Sequence, residues 1–191
     1  MQSLFIKNEI KYIGSQLAPH WIYKNFHILG DAIVAFTGEM DVKITEMVDI
    51  EDVISNSPIY SKKMVSFIIE QFGISLSECV LRQRFLICMI IEELKSVLGD
   101  KFVITRSGDD IFVKINGIDK KLSVSIATKS TTSGLIHTGL NIDPSGAPVD
   151  ACGLTTDLGI TDIESFAQNV MNRYVKENKE VWEATCKVRG V

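Results

Sequence analysis

Hydrophobic and polar residues alternate with period two over much of residues 101–142, which is the spacing of β-strands that bury one face. The pattern predicts four strands, over residues 102–105, 111–115, 121–128 and 135–142. Asn116 and Gly117 strengthen this prediction, because both residues tolerate the positive φ of a tight hairpin turn. We therefore expect an antiparallel meander in this part of the chain.

Apolar residues recur with helical spacing in three other segments. In residues 58–72 four apolar side chains fall on one face of a helix: Met64, Phe67, Ile68 and Phe72. Residues 76–98 predict a second, more apolar helix that ends at a glycine. The stretch Thr161-Asp162-Ile163-Glu164 is typical of a capping box, so a third helix is expected to run to about residue 178, with a further helical stretch over residues 180–188.

The first fifty residues predict strands with one short turn or helix. One or two strands are expected in residues 3–13, a turn or short helix in 16–26, a buried strand in 27–36 and another strand in 40–47. The predicted order of elements is strands, then two helices, then the meander, then a helix. This order indicates an α+β fold with a mixed, largely antiparallel sheet and packed helices. With 191 residues, 46% of them hydrophobic, we expect a single domain over residues 1–191.

Composition and charge exclude several classes of protein. The formal net charge is -4 and Lys and Arg are not clustered, so nucleic acid is not an expected partner. No run of about 18 apolar residues suggests a membrane span, and the start MQSLFIKNEI is unlike a signal peptide, so a cytoplasmic location is expected. The four cysteines form no CxxC pair and the three histidines form no HxxxH, so no zinc site or disulfide framework is expected.

Candidate chemistry is concentrated in the meander and just after it. Alternation puts Lys121, Ser123 and Ser125 on one face of a strand, either as part of a polar site or as a solvent-facing edge. His137 is either a pocket residue or a hydrogen-bonded core residue. Gly139 would allow close approach of a ligand or of another backbone.

Three further features each have a functional and a structural interpretation. Asn141 is either a pocket residue or the lead into a turn. Cys152 is either a small buried hydrophobe or a thiolate whose pKa is lowered by a nearby lysine such as Lys121, with the amides around Gly153 and Leu154 as an oxyanion site. An acidic group could bind a metal, or could be a solvated loop and helix start; its members are Asp41, Glu46, Asp49, Glu51 and Asp52.

The stretches KKLSVSIAT and LIHTGLNI, followed by Cys152-Gly153-Leu154, resemble the biotin and lipoate protein ligase superfamily, and the octanoyl transferases within it more closely still. FTGEMDV echoes the YHGPGQLV stretch of those transferases. Over its whole length, and through GDAIVAF, MVDIEDV and GLTTDLGI, the chain resembles a prokaryotic family known as domain of unknown function family 366. The resemblance implies the ligase-like (class II synthetase-like) fold.

The resemblance also implies a pocket that handles an acyl or carboxylate group. Cys152 and Lys121 would be catalytic, and the substrate-binding residues would be His137, Gly139, Asn141, Ser123, Gly38 and Asp41. The partner would be a small-molecule or acyl-carrier substrate, the cofactor is unknown, and a homodimer is an open alternative. No GRGRxGR-like loop is present, and TGEMD replaces HGPGQ. Three functions therefore stay open: a Cys/Lys acyltransferase, an ATP-dependent ligase, and a non-catalytic binding or dimerisation module.

Overall fold

The computed structural model describes residues 1–190 and contains two β-sheets and four α-helices. The strands run, in chain order, over Gln2–Ile6 (β1), Ala32–Val42 (β2), Ile59–Phe72 (β3), Val103–Ser107 (β4), Asp110–Ile115 (β5), Ile118–Lys121 (β6), Ser123–Lys129 (β7) and Ser133–Asp143 (β8). The helices span Trp21–Phe26 (α1), Ile50–Ser55 (α2), Leu76–Leu98 (α3) and Ile163–Cys186 (α4). None of these helices is both long and apolar enough to cross a membrane.

The larger sheet has the strand order β1-β2-β3-β8-β7, and the smaller one has the order β4-β5-β6. Only the β1–β2 pair is parallel; the other paired strands of both sheets are antiparallel. The mixed, largely antiparallel α+β architecture expected from the sequence is confirmed.

Both faces of the larger sheet are buried, by different parts of the chain. On one face α3 and α4 pack against residues such as Val65, Phe67 and Ile69 of β3. On the other face the segment between β1 and β2 (residues 7–31, the N-terminal segment) packs Tyr12 and Ile22 against Met64 and Ile68 of the same strand. The centre of β3 is therefore buried on both sides.

The helix predicted over residues 58–72 is wrong, because this segment is strand β3. A strand that is buried on both faces loses the alternation of apolar and polar residues, and its apolar run is then indistinguishable from that of a buried helix. Met64 and Phe67, placed on one helical face by the sequence pattern, point to opposite faces of the sheet.

The predicted meander is divided between the two sheets. Strands β4 to β6 form the smaller sheet, whereas β7 and β8 join the larger one. The chain crosses over at Leu122, whose amide donates to the Ile111 carbonyl while its own carbonyl accepts from the Asn141 amide. This crossover places Lys121, at the end of β6, where the two sheets meet.

Other predicted boundaries shift for local reasons. The strands expected over residues 27–36 and 40–47 are one strand, β2, with an irregularity between Gly38 and Met40. The last helix is capped by Asp162, which accepts from the Ser165 amide, and it runs without interruption to Cys186. Helix α3 has the bounds expected from the sequence.

Gly38 lets the N-terminal segment lie directly against the sheet. A Cβ atom added at residue 38 would lie 2.1 Å from the carbonyl oxygen of Ile10. The Ile10 amide donates to the carbonyl of Thr37, and Tyr12 forms a parallel bridge with Met40. The backbone of residues 10–12 is thus held against β2.

We predict that Gly38→Ala lowers the free energy of unfolding by about 3 kcal/mol, because the backbone of Ile10 must move to admit the methyl group. Chemical denaturation with circular dichroism would measure the change. Gly190→Ala is the control, since a Cβ there has no neighbour within 4 Å. Equal stability of the two variants would contradict this account of the contact.

Candidate functional site

A cavity of about 380 Å³ opens on the sheet face that the N-terminal segment covers. Its floor is formed by β3, β7 and β8, and its walls by residues near Tyr12, by the connection between β2 and β3, and by the loop that follows β8. Apolar side chains line much of it, including Met40, Met64, Val124 and Ile126. It is therefore a concave, partly apolar site of the kind that holds a small molecule.

Tyr12, in the wall of the cavity, stacks on His137, in its floor. Their rings are nearly parallel, with centroids 3.8 Å apart, and both side chains are buried. The Nε2 atom of His137 is 3.2 Å from the Ser66 hydroxyl. Burial lowers the pKa of His137 to about 3, so its imidazole is neutral at physiological pH.

Three buried side chains present polar atoms to the cavity without a protein partner. Tyr12, His137 and Asn141 are 3%, 1% and 6% exposed, and all three line the cavity. Three atoms have no hydrogen-bond partner within residues 1–190: the Tyr12 hydroxyl, His137 Nδ1 and Asn141 Oδ1. Every fully enclosed side-chain nitrogen and oxygen in these residues has a partner, so these three atoms are not fully enclosed. These atoms are consequently available to a ligand.

Lys121 lines the cavity, but its amine is already engaged. The Nζ atom lies 2.9 Å from Asp110 Oδ2, and both side chains are about one-third exposed. The backbone of Lys121 pairs with the loop after β8. The Lys121 amide donates to the backbone carbonyl of Asp150, and the Lys121 carbonyl accepts from the backbone amide of Cys152. The side-chain Nδ2 of Asn141 also donates to the backbone carbonyl of Lys121, at 3.4 Å.

Cys152 is close to Lys121 along the backbone, but its thiol lies in the hydrophobic core and is not part of the cavity lining. The sulfur points to the Lys120 carbonyl at 3.7 Å. Burial raises the pKa of the thiol to about 12, and Asp157 adds to the rise. The structure thus gives Cys152 the environment of an inert, protonated thiol.

The amides after Cys152 are also occupied. The Gly153 amide donates to Asp157 Oδ2 at 2.8 Å, and the Leu154 amide donates to the Asn141 carbonyl at 2.7 Å. Neither amide is free to stabilise an oxyanion, which is the role that the sequence suggested for them.

The remaining sequence-predicted residues divide between the cavity and the scaffold. Ser123 lines the cavity, with its hydroxyl accepting from the Ile111 amide. Gly139 lies beneath two lining residues, since a Cβ there would be 2.9 Å from the Met64 methyl and 3.4 Å from His137. Gly38 packs against Ile10, and Asp41 pairs with Lys11 at 2.8 Å; neither is part of the lining.

Among residues 1–190, one lysine, Lys121, and six carboxylates line the cavity. The carboxylates are Glu46, Asp49, Glu51, Asp52, Asp109 and Asp110. Asp49 caps α2 and Glu51 and Asp52 lie in its first turn, so the helix-start interpretation holds for these three members of the acidic group, whereas Asp41 belongs to β2. In the described residues, no three His, Cys, Asp or Glu side chains are arranged to hold a metal ion. No sequence pattern predicted a site role for Tyr12, because tertiary packing alone places its side chain at the cavity.

Residues 1–189 match the family described as Domain of unknown function (DUF366). The chain belongs to the DUF366 family. The uncharacterized protein MJ0805 of Methanocaldococcus jannaschii is 37% identical over 183 residues, which cover 93% of this chain and 79% of that protein. A solved structure of a protein of unknown function from Pyrococcus horikoshi is 40% identical and superposes with a TM-score of 0.89 over 100% of both chains.

The DUF366 chain also shares its fold with biotin and lipoate protein ligases. The putative lipoate protein ligase Ta0514 from T. acidophilum, solved with bound lipoic acid, has a TM-score of 0.59 at 13% identity over 92% of this chain and 85% of that one. Biotin protein ligase from Aquifex aeolicus, in complex with biotin and ATP, has a TM-score of 0.58 at 12% identity over 92% and 70% of the two chains. The ligase-like fold expected from the sequence is confirmed.

We predict that the cysteines differ sharply in their rates of alkylation. Cys88 and Cys186 are exposed, whereas Cys79 and Cys152 are buried with raised pKa values. Iodoacetamide at pH 8 should label Cys88 and Cys186 at least tenfold faster than Cys152. Peptide mass spectrometry over a time course would measure the rates, and guanidinium-unfolded protein is the control. Labelling of Cys152 as fast as that of Cys88 would restore it as a candidate nucleophile.

We predict that the stability of the folded protein falls as the pH is lowered from 7 to 5 because of His137. The unfolded histidine takes up a proton near pH 6.5, but the folded one, with a pKa of about 3, does not. Acid therefore favours unfolding, by about 2 kcal/mol between pH 7 and pH 5. Denaturant titrations of His137→Gln should lack this decrease. The control His27→Asn changes an exposed histidine with positive φ and should retain it.

Proposed function

We propose that this DUF366 protein binds a small molecule in the cavity beneath its N-terminal segment. The observation that carries the proposal is the set of three buried side chains, Tyr12, His137 and Asn141, whose free polar atoms lie in a cavity that is also lined by apolar side chains. Because these atoms are open to the cavity rather than enclosed in the core, a ligand that enters the cavity can form hydrogen bonds with them.

The fold supports the same proposal. Structures with this fold contain lipoic acid in one case and biotin in another, both small molecules. In the proposed complex the apolar part of the ligand would lie on Met40, Met64 and Val124, with its polar end at the buried side chains. The ligand would be held by shape and hydrogen bonds, with no covalent step.

Acyl transfer through Cys152 has less support. A thiolate nucleophile needs a lowered pKa and access to the substrate, whereas this thiol is buried and its pKa is raised. Lys121, the proposed activating amine, is paired with Asp110. An ATP-dependent ligase would need groups that grip the nucleotide phosphates, and the carboxylate-rich lining is unfavourable for an anion.

We predict that Val124→Phe weakens binding of the neutral probe octanamide at least tenfold, because the added ring occupies the floor of the cavity. Isothermal titration calorimetry on the full chain would measure the dissociation constants. Val103→Phe, at an exposed position of β4, is the matched control and should bind like the parent protein.

Two results would overturn the proposal. One is equal binding of octanamide by both phenylalanine variants and the parent, which would place the binding elsewhere. The other is a covalent adduct, seen by intact-mass spectrometry after mixing with an acyl-carrier thioester, that is lost in Cys152→Ser and formed more slowly by Lys121→Ala. That adduct would establish acyl transfer instead.

A further inference from the structure

The carboxylates that line the cavity differ in how their charge is balanced. Asp110 pairs with Lys121, while Asp109 accepts from Arg84 at 2.8 Å and from Gln83 at 2.7 Å. The carboxylate of Asp52, on α2, has no hydrogen-bond or ion-pair partner within residues 1–190, although the side chain is half-buried. Asp52 is thus a negative charge in the cavity wall without a counter-ion.

The surroundings of Asp52 favour the arrival of a positive charge. Burial raises the pKa of Asp52, and the nearby carboxylates of Asp49, Glu51 and Asp110 raise it further, whereas Lys121 opposes them. Lys121 is held by Asp110, so it neutralises Asp52 only in part. A cation brought next to Asp52 would relieve the repulsion among these carboxylates.

The free polar atoms of the floor point independently to the same kind of ligand. Asn141 Oδ1 is an acceptor, the Tyr12 hydroxyl oxygen can also accept, and Nδ1 of neutral His137 accepts in the tautomer whose Nε2–H donates to Ser66. An ammonium group has three N–H donors and no acceptor, so it matches a carboxylate and buried acceptors better than a carboxylic acid does. A free acid would instead meet six carboxylates in the lining.

Building on the proposed function, the geometry points to a primary ammonium group as the polar end of the ligand, with Asp52 as its counter-ion. The ligand class is a small amine with an apolar body. Asp52 supplies the negative charge that balances the ammonium group. The acceptors among Tyr12, His137 and Asn141 receive the ammonium N–H groups, and the apolar side chains of the floor hold the body of the ligand. Lys121 stays paired with Asp110 and holds that carboxylate in place.

The test compares three probes with the same chain length: octylamine, octanamide and octanoic acid. Calorimetry on the full chain at neutral pH should give the tightest binding for the amine and the weakest for the acid. In Asp52→Asn the affinity for octylamine should fall at least tenfold, while that for octanamide should stay within about twofold. Helix α2 has no buried residue, so this variant should fold; Asp100→Asn, at an exposed position of the short 3₁₀ helix after α3, is the control.

The outcomes separate this inference from the proposed function. Binding of octanamide with no preference for octylamine, or an unchanged octylamine affinity in Asp52→Asn, would overturn the amine assignment and leave the binding site in place. No binding of either octanamide or octylamine would overturn both. A blocked lysine, Nα-acetyl-lysine amide, identifies the source of the ammonium: weaker binding than octylamine supports a free small amine, and tighter binding would overturn that assignment in favour of a protein side chain.

Discussion

The burial of both faces of the five-stranded sheet is the constraint on which the other features of this protein depend. Helices α3 and α4 cover one face, whereas the second face is covered by the N-terminal segment with the short helix α1 and, in part, by the connection between β2 and β3. The segment is fastened by a buried carboxylate: Glu70 accepts from the His20 amide with both oxygens, at 2.9 and 3.0 Å, and from the Ser133 hydroxyl. Such charge-assisted bonds, made inside the protein, fix the position of the segment on the sheet.

The cavity lies where this thinner cover is incomplete. Tyr12 reaches over the sheet to stack on His137, and beyond it the wall is made by loops and by α2, which has no buried residue. The site therefore combines a rigid floor of strands with a wall of loop segments. This combination suits ligand binding, because strands position polar groups accurately while loops carry the residues that differ among proteins with one fold.

The crossover at Leu122 separates two residues that are neighbours in their backbone pairing. Lys121 lies at the junction of the two sheets and its side chain extends into the cavity, whereas Cys152 pairs with it through the backbone and directs its thiol into the core. Biotin and lipoate ligases share the fold at 10–14% identity, which says nothing about such side-chain directions. Within this fold, the DUF366 chain lines its cavity with six carboxylates, the feature from which we infer a cationic ligand.

The sequence by itself determined the fold class, the bounds of α3, the hairpin at Asn116 and Gly117, and the presence of Lys121, His137 and Asn141 near one site. These features follow from local periodicity, turn chemistry and short motifs, which are properties of neighbouring residues. Only the tertiary structure decided that residues 59–72 are a strand, that Tyr12 and Asp52 reach the cavity, and that the Cys152 thiol is buried. The physical reason is that burial on both faces removes the alternation of a strand, and that the pKa and accessibility of a side chain are set by residues distant in the sequence.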